Sequence, residues 1–110
     1  MIYEKMLLSW DNLEISDYLK LLHDHYEFVM HLIGKVSNIK TMDPDFIIKA
    51  MQSTEYKGRR CIYENEDVSV EHRVAKYPSE DREAVLLVHL KKDGLLFRTE
   101  TGATTLPAKD

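Results

Sequence analysis

The sequence predicts an α+β domain in which N-terminal helices, one of them long, pack on one face of a four-stranded antiparallel sheet. Two observations support this fold class. Apolar residues recur at spacings of three and four through the first half of the chain, as in amphipathic helices, and from residue 58 onward they recur at every second position, as in strands. Helices followed by a run of strands indicate an α+β arrangement.

Length and composition indicate one globular domain of 110 residues, of which 44% are hydrophobic and 31% charged. We divide it into a helical region over 1–54, a sheet over 58–102 and a C-terminal tail over 103–110. The single cysteine excludes an internal disulfide and a cysteine-based zinc site. No run reaches the ~20 apolar residues of a membrane span, and the first residues do not resemble a secretory signal, so we expect a cytoplasmic protein without membrane contact.

The longest predicted helix covers residues 12–36, with Asp11 as its N-cap. Its apolar stripe consists of Ile15, Leu19, Leu22, Tyr26, Val29, Ile33 and Val36. A second stripe beside it widens the apolar arc to about half of the circumference, more than a helix on a sheet requires. The excess predicts a homodimer or another protein partner bound through this helix.

Two shorter helices complete the helical region. The first ten residues fit a short helix only weakly. Asp43 followed by Pro44 is a strong helix start and predicts a helix ending near Ser53.

Histidines on the long helix invite two interpretations. His23, Glu27 and His31 share one face at spacings of four, which suggests either a metal site or a solvated polar face. No further ligands lie nearby in the sequence, so we predict no metal and no other cofactor. His25 lies inside the apolar arc, either as a half-buried side chain or as a titratable group at the edge of a cleft.

The second half predicts strands over 59–64, 68–76, 83–91 and 95–101. Asp93-Gly94 is typical of a type I′ turn, which would pair His89 with Arg98. The face predicted to cover the helices then carries Leu86, Val88, Leu90, Leu95, Phe97 and Thr99. The opposite, mixed face carries Ser69, Glu71, Arg73, Leu87, His89, Lys91, Leu96, Arg98 and Glu100.

The mixed face is open to two explanations. It is either the solvated outer side of an antiparallel sheet, where ion pairs are routine, or a site for an anion. In the second case Arg98 would hold a phosphate, and its charge would favour a neutral His89 that acts as a general base.

Five segments in this order resemble the metal-independent RNase fold shared by RelE-type toxins, barnase-like nucleases and colicin-type nucleases. They are "DHYEFVMHLIGKV", "DPDFIIKAM", "GRRCIY", "VEHRVAKY" and "LLFRTETG", covering about residues 20 to 105. The resemblance implies cleavage by attack of a ribose 2′-hydroxyl on the scissile phosphate. It also implies a set of catalytic residues, namely His25, Arg60, Tyr63, Arg98 and Thr99, to which the hairpin adds His89.

Two functions from different classes follow. The first is a small cytoplasmic interaction or regulatory module of phage or bacterial type, which binds a partner through helix 12–36 and the mixed sheet face. The alternative is a metal-independent RNA-cleaving toxin or phage nuclease. The net charge of -4 favours the module, because RNA-binding domains usually carry a basic excess.

Overall fold

The computed structural model describes residues 2–39 and 43–107, which form a six-stranded mixed sheet with short helices on one side. A 3₁₀ turn over His31–Ile33 follows the first strand. The elements in chain order are α1 (Ile2–Asp11), α2 (Ile15–Lys20), β1 (Leu22–Met30), β2 (Lys35–Ser37), α3 (Pro44–Ser53), β3 (Glu55–Glu64), β4 (Val68–Lys76), β5 (Arg82–Lys92) and β6 (Leu95–Thr105).

The strand order across the sheet is β2-β1-β6-β5-β4-β3. All neighbours are antiparallel except β1 and β6, which run parallel. The predicted α+β class is therefore confirmed in its broad form, but the four-stranded antiparallel sheet is wrong. The two missing strands come from the segment that had been predicted as a long helix.

The long helix over 12–36 does not exist. Leu13 has a φ of 56°, a left-handed conformation that interrupts the helical path between α1 and α2. After α2 the chain extends as β1, in which Leu22 and Tyr26 are buried. Residues four apart share a face both in a helix and in a strand, so the spacing of Leu22 and Tyr26 fits both structures equally well.

The other predicted elements are present with longer bounds. The short N-terminal helix is α1, and α3 begins where Asp43 caps it, with Asp43 Oδ1 accepting a hydrogen bond from the Asp45 amide at 3.0 Å. Strand β6 continues to Thr105 and so includes the start of the predicted tail. Residues 108–110 of that tail, and residues 40–42 of the predicted loop before α3, lie outside the described residues. No helix in the described part of the chain is long and apolar enough to cross a membrane.

The helices cover the opposite face of the sheet from the one predicted. The core joins Tyr3, Met6, Tyr18, Ile47 and Met51 of the helices to Leu22, Tyr26 and Leu96 of the strands. We call the helix-covered side of the sheet the inner face and the other side the outer face. The inner face carries most of the side chains that were assigned to the mixed face.

A bulge in the β5–β6 hairpin changes the predicted register. Asp93 and Gly94 both have positive φ, as a type I′ turn requires, and Lys92 pairs with Leu95 as predicted. The register then shifts beyond Lys91, and His89 pairs with Thr99 instead of Arg98. The shift turns Thr99 to the inner face beside His89 and leaves Arg98 on the outer face.

Candidate active site in the cavity under the helices

A cavity of about 310 Å³ lies between the helices and the inner face of the sheet. Its wall is mostly aromatic and aliphatic, and it includes Trp10 of α1, Phe46 of α3 and Tyr56 of β3. Small-molecule sites are typically apolar cavities with a few polar groups that converge on the ligand. Here Arg59, Glu71, Arg73 and His89, the polar groups that lie close to one another, come from β3, β4 and β5.

A carboxylate and an imidazole meet on the wall of this cavity. Glu71 Oε1 lies 3.3 Å from His89 Nε2, and the two residues are 0% and 3% exposed. Glutamate is almost never fully buried unless it is paired, and both residues line the cavity. Their contact places two titratable groups side by side on the wall of the cavity.

A chain of hydroxyl groups holds the other side of the imidazole ring. Tyr26 Oη donates to Thr99 Oγ1 at 2.7 Å, and Thr99 Oγ1 lies 2.8 Å from His89 Nδ1. Because Thr99 accepts from Tyr26, its own proton can be donated to Nδ1, and Nε2–H is then the donor to Glu71. The network therefore holds the His89 ring with Nδ1 toward Thr99 and Nε2 toward Glu71.

Two arginines lie beside Glu71. Arg59 Nε donates to Glu71 Oε2 at 3.0 Å. Burial alone raises the pKa of Glu71, but the hydrogen bond from His89 and the positive charges of Arg73 and Arg59 together outweigh it, so the pKa is lowered. Glu71 is therefore ionised at neutral pH in spite of its burial.

The tyrosines of the interior are held in the protonated form. Burial raises the pKa of Tyr26 well above its usual value, and it raises the pKa of Tyr3 to about 12. The same cause raises the pKa of Tyr18, which lines the cavity. All three keep their hydroxyl protons at neutral pH, and Tyr26 donates a hydrogen bond to Thr99.

Two of the six predicted site residues lie together in this site. His89 and Thr99 are buried on the inner face and contact each other. Arg98 lies on the outer face, where it binds Glu27 at 2.9 Å and Glu100 at 3.4 Å.

The other three predicted site residues lie elsewhere. His25 is exposed on β1, and Arg60 and Tyr63 are exposed on β3. Arg60 pairs with His72, and Tyr63 with Val70, on the outer face. The structure does not bring them into contact with His89 and Thr99.

The predicted site lacked Glu71, Tyr26 and the two arginines. Glu71 and Arg73 alternate with apolar residues along β4, in the same pattern as Leu87 and His89 along β5. That shared alternation correctly grouped Glu71 with His89 on one face. Tyr26 could not be found in this way, because its segment was assigned to a helix.

The histidines once considered as metal ligands have other contacts. His31 Nε2 lies 3.0 Å from Glu100 Oε1, and the His23 ring packs edge-on against Phe97 at 5.2 Å. Within residues 2–39 and 43–107, no group of three or more His, Cys, Asp or Glu side chains is placed to hold a metal ion.

Comparison with known proteins identifies the fold. No protein-family model matches the sequence, and no curated protein matches it either. The structure is similar to that of a candidate ketosteroid isomerase from Kribbella flavida DSM 17836, with a TM-score of 0.71 and 9% identity over 98% of this chain and 78% of that chain.

Two further structures give a TM-score of 0.66. One is a protein with a ketosteroid isomerase-like fold from Catenulispora acidiphila DSM 44928, in complex with trimethylamine, at 10% identity over 97% of this chain and 87% of that chain. The other is an NTF2-like protein from Cytophaga hutchinsonii ATCC 33406, at 12% identity over 92% of each chain.

These similarities overturn the resemblance to RelE-type, barnase-like and colicin-type nucleases. The short segments behind that resemblance are common in many α+β proteins. The strand order and the helix positions of this chain instead match those of the NTF2-like and ketosteroid isomerase-like structures. The chain has the NTF2-like fold that is also described as ketosteroid isomerase-like.

Proposed function

We propose that the protein is an acid–base catalyst that moves a proton on a small, largely apolar molecule bound in the cavity. The observation that carries this proposal is the contact of 3.3 Å between Glu71 and His89 on the wall of an otherwise apolar cavity of about 310 Å³. Buried pairs of titratable groups in a cavity are the usual sign of a catalytic site.

Each group in the network has a role in this reaction. Glu71 is the proton acceptor, because its carboxylate is ionised and faces the cavity. His89 orients that carboxylate through Nε2–H, and Glu71 returns the proton that it has taken to another carbon of the product. Thr99 and Tyr26 keep the ring in position through Nδ1.

The reaction class is proton abstraction from carbon, leading to isomerisation or elimination. Transfer of a proton is what a carboxylate and an imidazole accomplish without forming a covalent intermediate. The Kribbella flavida neighbour, named as a candidate ketosteroid isomerase, supports this choice only through the shared fold, since the identity is 9%.

Deuterium exchange tests the proposal without knowledge of the natural substrate. A panel of enolisable ketones and β,γ-unsaturated ketones is incubated with the protein in D₂O, and incorporation is measured by mass spectrometry. We expect incorporation by the wild type, and a loss of about 10²-fold or more in Glu71→Gln and in His89→Gln.

His25→Gln is the matched control, because this histidine is exposed on β1 and takes no part in the network. It should retain wild-type exchange. Exchange that persists undiminished in Glu71→Gln and His89→Gln would contradict the proposal.

We also propose that the protein binds a second copy of itself through the outer face of the sheet, in place of the partner surface predicted on residues 12–36. Val70, Leu86 and Val88 lie side by side there, and Leu86 is 43% exposed. Arg98 and Glu100 flank them, so the rim carries both signs of charge, as a two-fold symmetric contact requires.

Sedimentation equilibrium tests the dimer. Leu86→Glu should convert a wild-type dimer to a monomer, because it places an unpaired charge in the contact. Leu32→Glu, at a side chain that is exposed on the 3₁₀ turn, should leave the dimer intact. A wild type that is monomeric at the highest soluble concentration would refute this second proposal.

A further inference from the structure

The interior contains hydrogen-bond donors that the protein itself does not use. In the described part of the chain, four buried side-chain atoms have no hydrogen-bond partner: Tyr3 Oη, Trp10 Nε1, Arg59 Nη1 and Arg73 Nε. Leaving a buried donor unpaired costs about 1–3 kcal/mol, so native proteins rarely leave several together. Trp10, Arg59 and Arg73 all line the cavity.

One aromatic ring brings these three donors together. The Arg73 guanidinium lies 4.4 Å from the centroid of the Tyr56 ring, and that of Arg59 lies 5.2 Å from it. The Trp10 ring packs edge-on against the same ring at 6.1 Å. Two positive charges and an indole ring therefore lie around Tyr56 in the wall of the cavity.

The two arginines of this cluster differ in their anionic partners. Arg59 Nε donates to Glu71 Oε2 at 3.0 Å, and Arg59 Nη1 lies 3.9 Å from Oδ1 of the exposed Asp11. The other oxygen of Glu71, Oε1, is engaged by His89. In the described part of the chain, no carboxylate lies at hydrogen-bond distance from Arg73, and its Nε has no hydrogen-bond partner.

We propose that the cavity binds a small apolar carboxylate, whose anionic group is held by Arg73 with donors from Arg59 and Trp10. This ligand class rests on the proposed function, because the carboxylate occupies the cavity in which the proton is moved. Arginine binds a carboxylate in preference to a neutral acceptor because its N–H groups match both oxygens and the bonds are charge-assisted.

The cavity also limits the rest of the ligand. Its volume of about 310 Å³ is roughly twice that of the ~150 Å³ cavity that accepts benzene, so one or two rings fit. Arg73 lies two residues from Glu71 on the same face of β4, about 7 Å along the strand. A ligand anchored at Arg73 presents the carbons near its carboxylate to Glu71 and His89.

Fluorescence of Trp10 measures occupancy directly, because it is the one tryptophan of the chain and it lines the cavity. The probes are 3-phenylpropanoate, 3-phenylpropanamide and 3-phenylpropan-1-ol, which share a shape and differ in charge. We expect the carboxylate to bind the wild type at least about tenfold more tightly than the amide or the alcohol.

Variants of Arg73 test whether this residue causes the preference for the carboxylate. In Arg73→Gln the ratio between carboxylate and amide should fall to about one, whereas Arg73→Lys, which keeps the charge, should retain part of it. Arg60→Gln removes an exposed arginine of β3 outside the cavity and should leave the ratio unchanged. Circular dichroism of each variant verifies that it is folded.

Two results would overturn the inference: equal affinity of the wild type for the three probes, or a preference for the carboxylate that survives in Arg73→Gln. The absence of saturable binding by the carboxylate would overturn it as well. Its failure is distinguishable from failure of the proposed function, since His89→Gln should lose deuterium exchange and keep the carboxylate preference. If the wild type prefers the carboxylate but catalyses no deuterium exchange, only the proposed catalytic function is refuted. If it catalyses exchange but does not prefer the carboxylate, only the proposed anion site is refuted.

Discussion

The two faces of the sheet reverse the usual distribution of polar and apolar side chains. The inner face, which the helices cover, buries Ser69, Glu71, His89 and Thr99. The outer face leaves apolar side chains partly in contact with solvent. Two consecutive leucines show the contrast, because Leu87 on the inner face is 1% exposed and Leu86 on the outer face is 43% exposed.

The difference is what the proposed acid–base function requires of the inner face. A buried carboxylate is costly unless it is paired and hydrogen-bonded, and Glu71 is held by Arg59 and His89. A core of leucine and valine would form more easily. Apolar residues on the outer face are correspondingly free to contact a partner.

The largest effect is expected from removing the central carboxylate. Glu71→Ala removes the buried acceptor of Arg59 Nε and His89 Nε2, which should lower the free energy of unfolding by about 3–5 kcal/mol in urea denaturation. Glu66→Ala, at an exposed glutamate, should change it by no more than about 0.5 kcal/mol. Equal effects at the two positions would show that Glu71 is not buried among these donors.

The adjacent leucines test the assignment of the faces directly. Leu87→Ala should cost about 2–5 kcal/mol, because it removes buried side-chain contacts and enlarges the cavity. Leu86→Ala should cost less than about 1 kcal/mol in a monomer, since much of that side chain is already in water. Urea denaturation of both variants at low protein concentration gives the comparison, and the reverse order would place the helices on the other face.

A smaller loss of stability is expected from changes in the hydroxyl groups that link Tyr26 through Thr99 to His89. Tyr26→Phe removes the donor to Thr99 inside the core and should cost about 1–2 kcal/mol, measured by thermal or urea unfolding. Tyr63→Phe is the matched control, because Tyr63 is exposed on the outer face and should tolerate the change within about 0.5 kcal/mol. If Thr99→Val adds its full cost on top of Tyr26→Phe, the two residues do not interact.

The smallest and most specific effect is expected in the dependence of the free energy of unfolding on acidic pH. The pKa of Glu71 is lower in the folded protein than its ordinary value of 4.5, so ionised Glu71 stabilises the fold above that pH. This contribution is lost as the pH falls below 4.5 and passes through the folded-state pKa. Urea midpoints measured across that range should decline less steeply in Glu71→Gln than in the wild type and in Glu66→Gln.

The second half of the fold was largely predictable from the sequence, because its signals are local. The alternation along β4 and β5, the Asp93-Gly94 turn and the Asp43-Pro44 helix start each act within a few residues. The first half was not predictable in this way. Spacings of four along residues 12–36 fit a helix and a strand alike, and pairing with the distant strand β6 selects the strand.

Half of the candidate site could also be predicted. The alternation placed Glu71 and His89 on one face, but assigned that face to solvent because the opposite one is more apolar. The bulge that turns Thr99 inward and Arg98 outward depends on the pairing of whole strands. No local pattern reveals it.

The sequence by itself determined the α+β class, the strands from β3 to β6, the α3 start and which residues of β4 and β5 share a face. Only the tertiary structure decided which face the helices cover, because that choice depends on the combined packing of distant segments. It also brought Tyr26 of β1 to Thr99 of β6, across 73 positions of the chain. Hydrogen bonds and burial at such separations are satisfied only when the whole chain has folded, and the candidate site is made of them.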